Sequence, residues 1–288
     1  MAINIHFFRD NKLEKLDYAK VLEFFDELPN FKIYYTDDEV QIVYRDTDFN
    51  FSYRYLITKK SKVEKIYKLN ALYANQKFLL ELPVLIPTYI AKEILTGAQK
   101  LCKLFDLAIY NDSFDDVKAF SLVDVMALFE NARAKHVEEF GLEGKLRFDH
   151  EKLNEICSYQ RQIYSLKEYY HNEVEVNYCE PVVDKNSRES GVCCTWRAGV
   201  PTIFPPHIDY VRVIEEDGNE FLVRRREFFN FMGGMLVEID NFLHDMYILR
   251  PKQAKKSKKV LIKLRKVAVI GQNFETLRLC DLIDVEAR

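Results

Sequence analysis

The sequence predicts an α+β protein of two sub-domains, each a mostly antiparallel sheet packed with helices, with a central helical pair joining them. Three observations lead there. Apolar and polar letters alternate without a break through "FNFSYRYLI", which puts Phe49, Phe51, Tyr53, Tyr55 and Ile57 on one face of an extended strand. Elsewhere apolar residues recur at three- and four-residue steps, the period of a helix with one buried stripe. The chain also holds 21 Phe and 17 Tyr against 9 Gly, a composition that favours ring-bearing strands over glycine-built loops.

The first helix lies in "KLDYAKVLEFFDEL", where Leu16, Val21, Leu22, Phe25 and Leu28 share a face and Pro29 ends the run. "FKIYYT" and "EVQIVYR" flank an acidic turn at Asp37-Asp38, and with "FNFSYRYLI" they make an antiparallel meander with one buried face. "KFLLELPVLIP" is a further strand closed by Pro87, since proline has no N–H for the next ladder bond. "YIAKEILTGAQKLCKLF" has helical spacing, and "LAIYND" reads as a short strand. A long helix through "SLVDVMALFENARAKHVEEF" stops at Gly141, where a left-handed residue closes a helix cheaply. "DHEKLNEICSYQRQIYSLKEYY" is the second member of the central pair, and the sub-domains divide here into residues 1–145 and 146–288.

Strands resume at "VEVNYCEPVV", and the polar "DKNSRESG" from Asp184 is an exposed loop. "PTIFPPHIDYVRV" supplies a core strand with Ile208, Tyr210, Val211 and Val213, and His207 and Asp209 stand near its start. After a bend at Gly233-Gly234, Leu236, Ile239, Leu243 and Met246 have the spacing of a helix. Near the C-terminus "MYILR" and "VLIKLRKVAVI" are expected as neighbouring strands of a basic hairpin, with "PKQAKKSKK" as the connecting loop. "LPVLIPTYI" from Leu82 and "VPTIFPPHI" from Val200 share an order of apolar and proline letters, as expected of an internal repeat with equivalent strand ends.

Composition then bounds the function. With 48% apolar and 30% charged residues, a chain of 288 belongs to the globular class and sustains a real core. A net charge of −3 projects no global positive field, so attraction to DNA, RNA or anionic lipid has to come from a local cluster. No apolar run approaches the ~20 residues of a membrane helix. Six scattered cysteines, and an opening "MAINIHFFRD" without a basic-then-apolar leader, lead to the expectation of a reducing, cytoplasmic setting with no membrane attachment.

Local catalytic patterns fail one after another. His207-x-Asp209 offers two of the three ligand types of an iron oxygenase, but His244 sits in a helical pattern and too few residues separate it from Asp209. His171-x-Glu173 with Cys193 and Cys194 lacks the spaced cysteines of a zinc deaminase, because neighbouring thiols do not chelate one tetrahedral ion. "GVCCTWR" lacks the Cys-Gly opening of a papain-like nucleophile, and its cysteines beside Trp196 read as core packing. The acidic groups Asp37-Asp38-Glu39, Asp46-x-Asp48 and Asp112 with Asp115-Asp116 carry no calcium-loop pattern and read as turn residues. Gly233-Gly234 is no phosphate-cradling loop. No catalytic residue, metal ligand or cofactor is assigned.

The strongest local signal is electrostatic. From Arg250 to Lys266 the chain has nine Lys or Arg and no acid, and Arg250, Lys252, Lys255, Lys256, Lys258 and Lys259 are the candidate binding residues. The expected function is that of a non-catalytic intracellular binding or regulatory protein that recognises another macromolecule, a protein first of all. The alternatives are a nucleic-acid binder acting through residues 250–266 and an enzyme whose site is assembled from distant residues, with His207, Asp209 and Cys194 as its first candidates.

Overall fold

The computed structural model describes residues 2–187, 189–240, 242–269 and 273–285, and the chain divides into two units, Met1–Lys145 and Leu146–Arg288. The architecture is α+β, with large antiparallel sheets packed against helices. Among the described residues no helix is long and apolar enough to cross a membrane.

The first unit runs β1 (Ala2–Asp10), α1 (Tyr18–Asp26), β2 (Phe31–Tyr35), β3 (Glu39–Asp46), β4 (Phe51–Thr58), β5 (Tyr73–Pro83), α2 (Thr88–Phe105), β6 (Leu107–Tyr110), β7 (Lys118–Ala119) and α3 (Leu122–Phe140). Its strands form one antiparallel sheet in the order β2-β3-β4-β5-β1-β6-β7. The helices begin and end where local chemistry directs. Asp17 accepts the N–H groups of Ala19 and Lys20 at the start of α1, and Gly141, at φ 73°, closes α3.

The middle of this sheet is β1, a strand absent from the sequence-level expectation. Ile5, His6, Phe7 and Phe8 are consecutive and all buried, so burial does not alternate here as it does over Ala2–Ile5. Phe7 joins a group of rings with Tyr55 at 6.2 Å and Phe78 at 4.7 Å, and Tyr55 in turn meets Phe25 of α1 at 4.9 Å. Phe8 points the other way, into a cluster with Val63, Ala108, Tyr110 and Val117. The middle of the sheet is therefore covered on both faces, which corrects the expected single buried face there; in β4 the neighbours Tyr55 and Leu56 are both buried, while β2 keeps Lys32 and Tyr34 exposed. β5 also departs from expectation, starting at Tyr73 and leaving the sheet at Pro83 rather than Pro87. Left-handed Lys77, at φ 50°, accompanies the register shift against β1 between Phe7 and Phe8.

The second unit runs β8 (Leu146–Arg147), α4 (His150–Tyr169), β9 (Glu175–Val176), β10 (Glu180–Asp184), β11 (Ser190–Arg197), β12 (Thr202–Phe204), β13 (Tyr210–Ile214), β14 (Glu220–Arg224), α5 (Arg225–Met232), β15 (Leu236–Glu238), β16 (Tyr247–Leu249), α6 (Pro251–Ser257), α7 (Leu261–Lys266), β17 (Phe274–Thr276) and β18 (Leu282–Ile283). Its sheets are β14-β13-β11-β10-β17, β15-β16-β12-β9 and β18-β8. The β11–β13, β12–β9 and β18–β8 pairings are parallel, so the unit is mixed. Of the central helical pair, α3 belongs to the first unit and α4 to the second.

Three expectations for this half are corrected. The helix expected from Leu236 to Met246 is instead the antiparallel pair β15 and β16, joined by Ile239 N–H donating to Met246 C=O at 2.9 Å. Left-handed Asp245, at φ 61°, takes part in the turn that a helix would not allow. The two proline segments are not equivalent strand ends: residues 84–86 bend away from a finished strand before α2, whereas Thr202–Phe204 is itself strand β12. The basic hairpin is in fact helical, α6 and α7 linked by a 3-10 turn at Lys258–Val260. Ile270, the last letter of the expected second strand, lies outside the described residues.

Candidate polyanion-binding face

Why residues 251–266 coil rather than extend is legible in their chemistry. Pro251 occupies the first helical position, where its missing N–H costs nothing, and no Gly, Asn or Asp follows to make a hairpin turn. Lysine is a good helix former. Ala254, Ser257 and Leu264 are fully buried and anchor the helical run on the unit, and the Ser257 hydroxyl donates to the Ala254 carbonyl at 2.7 Å. Backbone dihedrals stay right-handed through the 3-10 turn, at Ser257, Val260 and Leu261 alike.

With about 100° per residue in the α-helices and about 120° in the 3-10 turn, Lys252, Lys255, Lys256, Lys259, Lys263 and Lys266 fall inside an arc of about 140°, opposite the three anchors. All six are exposed. None has an ion-pair or hydrogen-bond partner for its ammonium group among the described residues. They form one stripe about 20 Å long at about 1.5 Å of rise per residue. The only apolar side chain set among them is Ile262, 68% exposed.

The other basic residues of the segment are used internally. Glu215 and Glu216 follow the end of β13. The Arg265 guanidinium clasps the buried Glu215 carboxylate, Nε to Oε1 at 2.9 Å and Nη2 to Oε2 at 2.6 Å, a two-pronged pair that lysine cannot make. Lys258 pairs with Glu216, and its methylenes lie against Gly199, whose φ of +84° and lack of a Cβ leave room for them. Arg250 is exposed and holds the N-cap position, ahead of the helical run that carries the stripe. Its charge opposes the rise in the Tyr170 phenol pKa caused by burial and by Tyr169. Of the candidates read from the sequence, Lys252, Lys255, Lys256 and Lys259 therefore share a face, and Arg250 and Lys258 do not. Lys263 and Lys266 were missed because a strand reading scattered them, yet the spacing 252, 256, 259, 263, 266 was there to be read.

Of the residues named for an enzyme site, His207 and Asp209 belong to one polar group at the entry to β13, and Cys194 is buried in the core. His207, left-handed at φ 55°, turns its Nε2 to Glu155 Oε2 of α4 at 2.9 Å, and its backbone N–H donates to Asp245 Oδ2 at 3.3 Å. Asp209 Oδ2 accepts the Val192 N–H at 2.8 Å, while its backbone N–H donates to the Val192 carbonyl and its carbonyl accepts the Arg225 N–H. Burial raises the Asp209 carboxyl above its usual range, against the Val192 N–H and the charges of Lys152, Arg225 and His207. Arg225 completes the group with an ion pair to Asp245 and a guanidinium placed 4.5 Å from the centre of the Phe229 ring. His207 and Asp209 thus secure the entry to β13 instead of converging on one ion, and among the described residues no group of three or more His, Cys, Asp or Glu side chains is arranged around a metal position.

The cysteines are core. Burial pushes the Cys193 thiol up to about 12 and raises Cys194 well above its ordinary value, so neither is an available thiolate near neutrality. Trp196 beside them is fully buried, donates its indole N–H to the Val200 carbonyl at 3.1 Å and packs edge-on against Phe228 at 5.4 Å.

The chain matches no family model, no curated protein and no solved structure among those it was compared with, so its functional reading rests on these side chains alone.

Proposed function

We propose that this protein is a non-catalytic binding protein that holds nucleic acid through the lysine face of α6 and α7. The observation that carries the proposal is the alignment of six exposed ammonium groups with no internal counter-charge among the described residues. A protein partner, the first expectation from the sequence, would want an apolar centre to its interface, and on this face only Ile262 is apolar. A phosphodiester chain asks for no such centre. It needs cations spaced along a line, and each phosphate neutralised releases condensed counter-ions. Lysine supplies point charges rather than planar forks, which suits backbone contact without base readout.

The test is binding of a labelled 20-base-pair duplex across a salt series. Six phosphate contacts would give a slope of log affinity against log salt of up to about −5, at about −0.9 per contact. Replacing Lys252, Lys256, Lys259 and Lys263 by Glu should remove that dependence with the melting temperature unchanged. Duplex binding that is salt-independent, or equally tight in the fourfold variant, would sink the proposal.

A further inference from the structure

The first unit carries a basic segment of its own, residues 59–72, the connection between β4 and β5. Its opening "KKSKVEKIYK" has five lysines and one glutamate. Fourteen residues is long for a connection between adjacent antiparallel strands, and long connections that stay ordered tend to serve binding.

This one is tied down at several points. Val63 is buried in the cluster behind Phe8, with Leu69 packed against the same cluster. The Ser61 hydroxyl accepts the Val63 N–H at 3.1 Å, Asp116 accepts the Asn70 N–H at 2.9 Å, and the Asn11 side chain donates to the Ala71 carbonyl at 2.7 Å. Between these anchors Ile66–Lys68 makes a 3-10 turn, closed by Lys68 N–H donating to the Lys65 carbonyl at 2.9 Å. Lys65 is the N-cap of this turn and Lys68 its last residue, so the bond between them holds two lysines at the ends of one turn.

Tyr67 stands between them in sequence and is 78% exposed, with no ring contact or hydrogen bond among the described residues. Lys59 has an ion-pair partner in Asp38, and Lys62 has partners in Glu39 and Glu81, whereas Lys60, Lys65 and Lys68 have none among the described residues. The fold therefore fixes the backbone of a loop in order to present a bare aromatic ring flanked by unneutralised ammonium groups. An exposed ring gains nothing from water, and a protein interface would surround it with more apolar surface than Ile66, 39% exposed, and Leu72, 57% exposed, add in this loop. An unpaired base offers a flat face to the ring and a phosphate to each neighbouring lysine, which is how single strands are held without sequence preference.

We propose that the β4–β5 loop is a second nucleic-acid contact, selective for single strands, in which an unpaired base stacks on Tyr67 while Lys65 and Lys68 hold the adjoining phosphates. The proposal stands on different residues from the lysine face and survives or fails separately.

The experiment measures anisotropy of the full chain and its variants with a labelled oligo(dT) 12-mer, an abasic 12-mer of equal charge and a duplex. Wild type should bind the base-bearing strand more tightly than the abasic one. Tyr67→Ala should weaken oligo(dT) binding about ten-fold or more, leave the abasic and duplex affinities unchanged, and be rescued by Tyr67→Phe. Since Tyr67 makes no packing contact, the melting temperature should hold. Equal affinity of wild type for the base-bearing and abasic strands, or of Tyr67→Ala and wild type for oligo(dT), overturns the proposal. Loss of duplex binding in the fourfold lysine variant, with the Tyr67 effect intact, bears on the lysine face alone.

Discussion

Around His207 the polar groups are partnered: Glu155 meets the imidazole Nε2, Asp245 pairs with Arg225, and Asp209 accepts the Val192 N–H. On the α6–α7 face, in the same unit, six lysines stand without an acid among the described residues, and the two acids nearby are already committed to Lys258 and Arg265. A charge that the fold has matched is serving the fold. A row of like charges left open raises self-repulsion on the helix, which a counter-charge arriving from outside would relieve. The motif that first suggested chemistry, His207-x-Asp209, is on the matched side of this division.

The difference can be broken experimentally, and the lysine face should give the largest effect. Converting Lys252, Lys256, Lys259 and Lys263 to Glu is expected to lower duplex affinity more than about 100-fold at low salt, since four attractive phosphate contacts become repulsive, with the far-UV spectrum and melting temperature retained. Removing a matched charge should do the reverse. Arg225→Ala strips Asp245 of its ion-pair partner, leaving it the His207 N–H, and is expected to cost about 1–3 kcal/mol of stability in urea denaturation, with duplex affinity per folded molecule unchanged.

A smaller change sharpens the contrast from the other direction. Glu216→Gln removes a negative charge beside the segment and should tighten duplex binding by less than about ten-fold, with the salt slope unchanged because Lys258 lies off the stripe against Gly199. The smallest effect expected is at Asp209. Burial holds its folded carboxyl above the unfolded one, so the folded state retains its proton in a window opening near about 3.9 and extending upward. That contribution is complete below the unfolded value and is lost as pH rises through the folded value. Asp209→Asn keeps an oxygen for the Val192 N–H and should remove this pH dependence from the urea midpoint; a midpoint profile identical to wild type would show that Asp209 adds nothing.

How much of this was legible in the letters depended on how local each device is. The alternation around Tyr53 and Tyr55, the helical spacing of α2 and the stop at Gly141 are decided within a few residues, and all three could be read directly. β1 was missed although Ile3, Ile5 and Phe7 alternate with Asn4 and His6, because the alternation is short, Phe8 breaks it, and the burial of His6 is decided by packing between distant segments. β15 and β16 have apolar residues that fit a helical period as well as two short strands, and pairing between distant segments decided the matter. For the candidate face the number of lysines was plain from the start. Their alignment was hidden, because "VLIKLRK" suits a strand by composition while Leu264 is buried as the anchor of a helix.

The face is made of primary amines alone, with the segment's two arginines outside it, and that choice has a chemical consequence. Amines accept acyl groups where guanidinium does not, and no amine on this stripe shares a partner with its neighbour. Capping them one at a time would lower the grip by roughly equal factors per cap, a graded control in which the hold on a partner is set by how many positions are blocked.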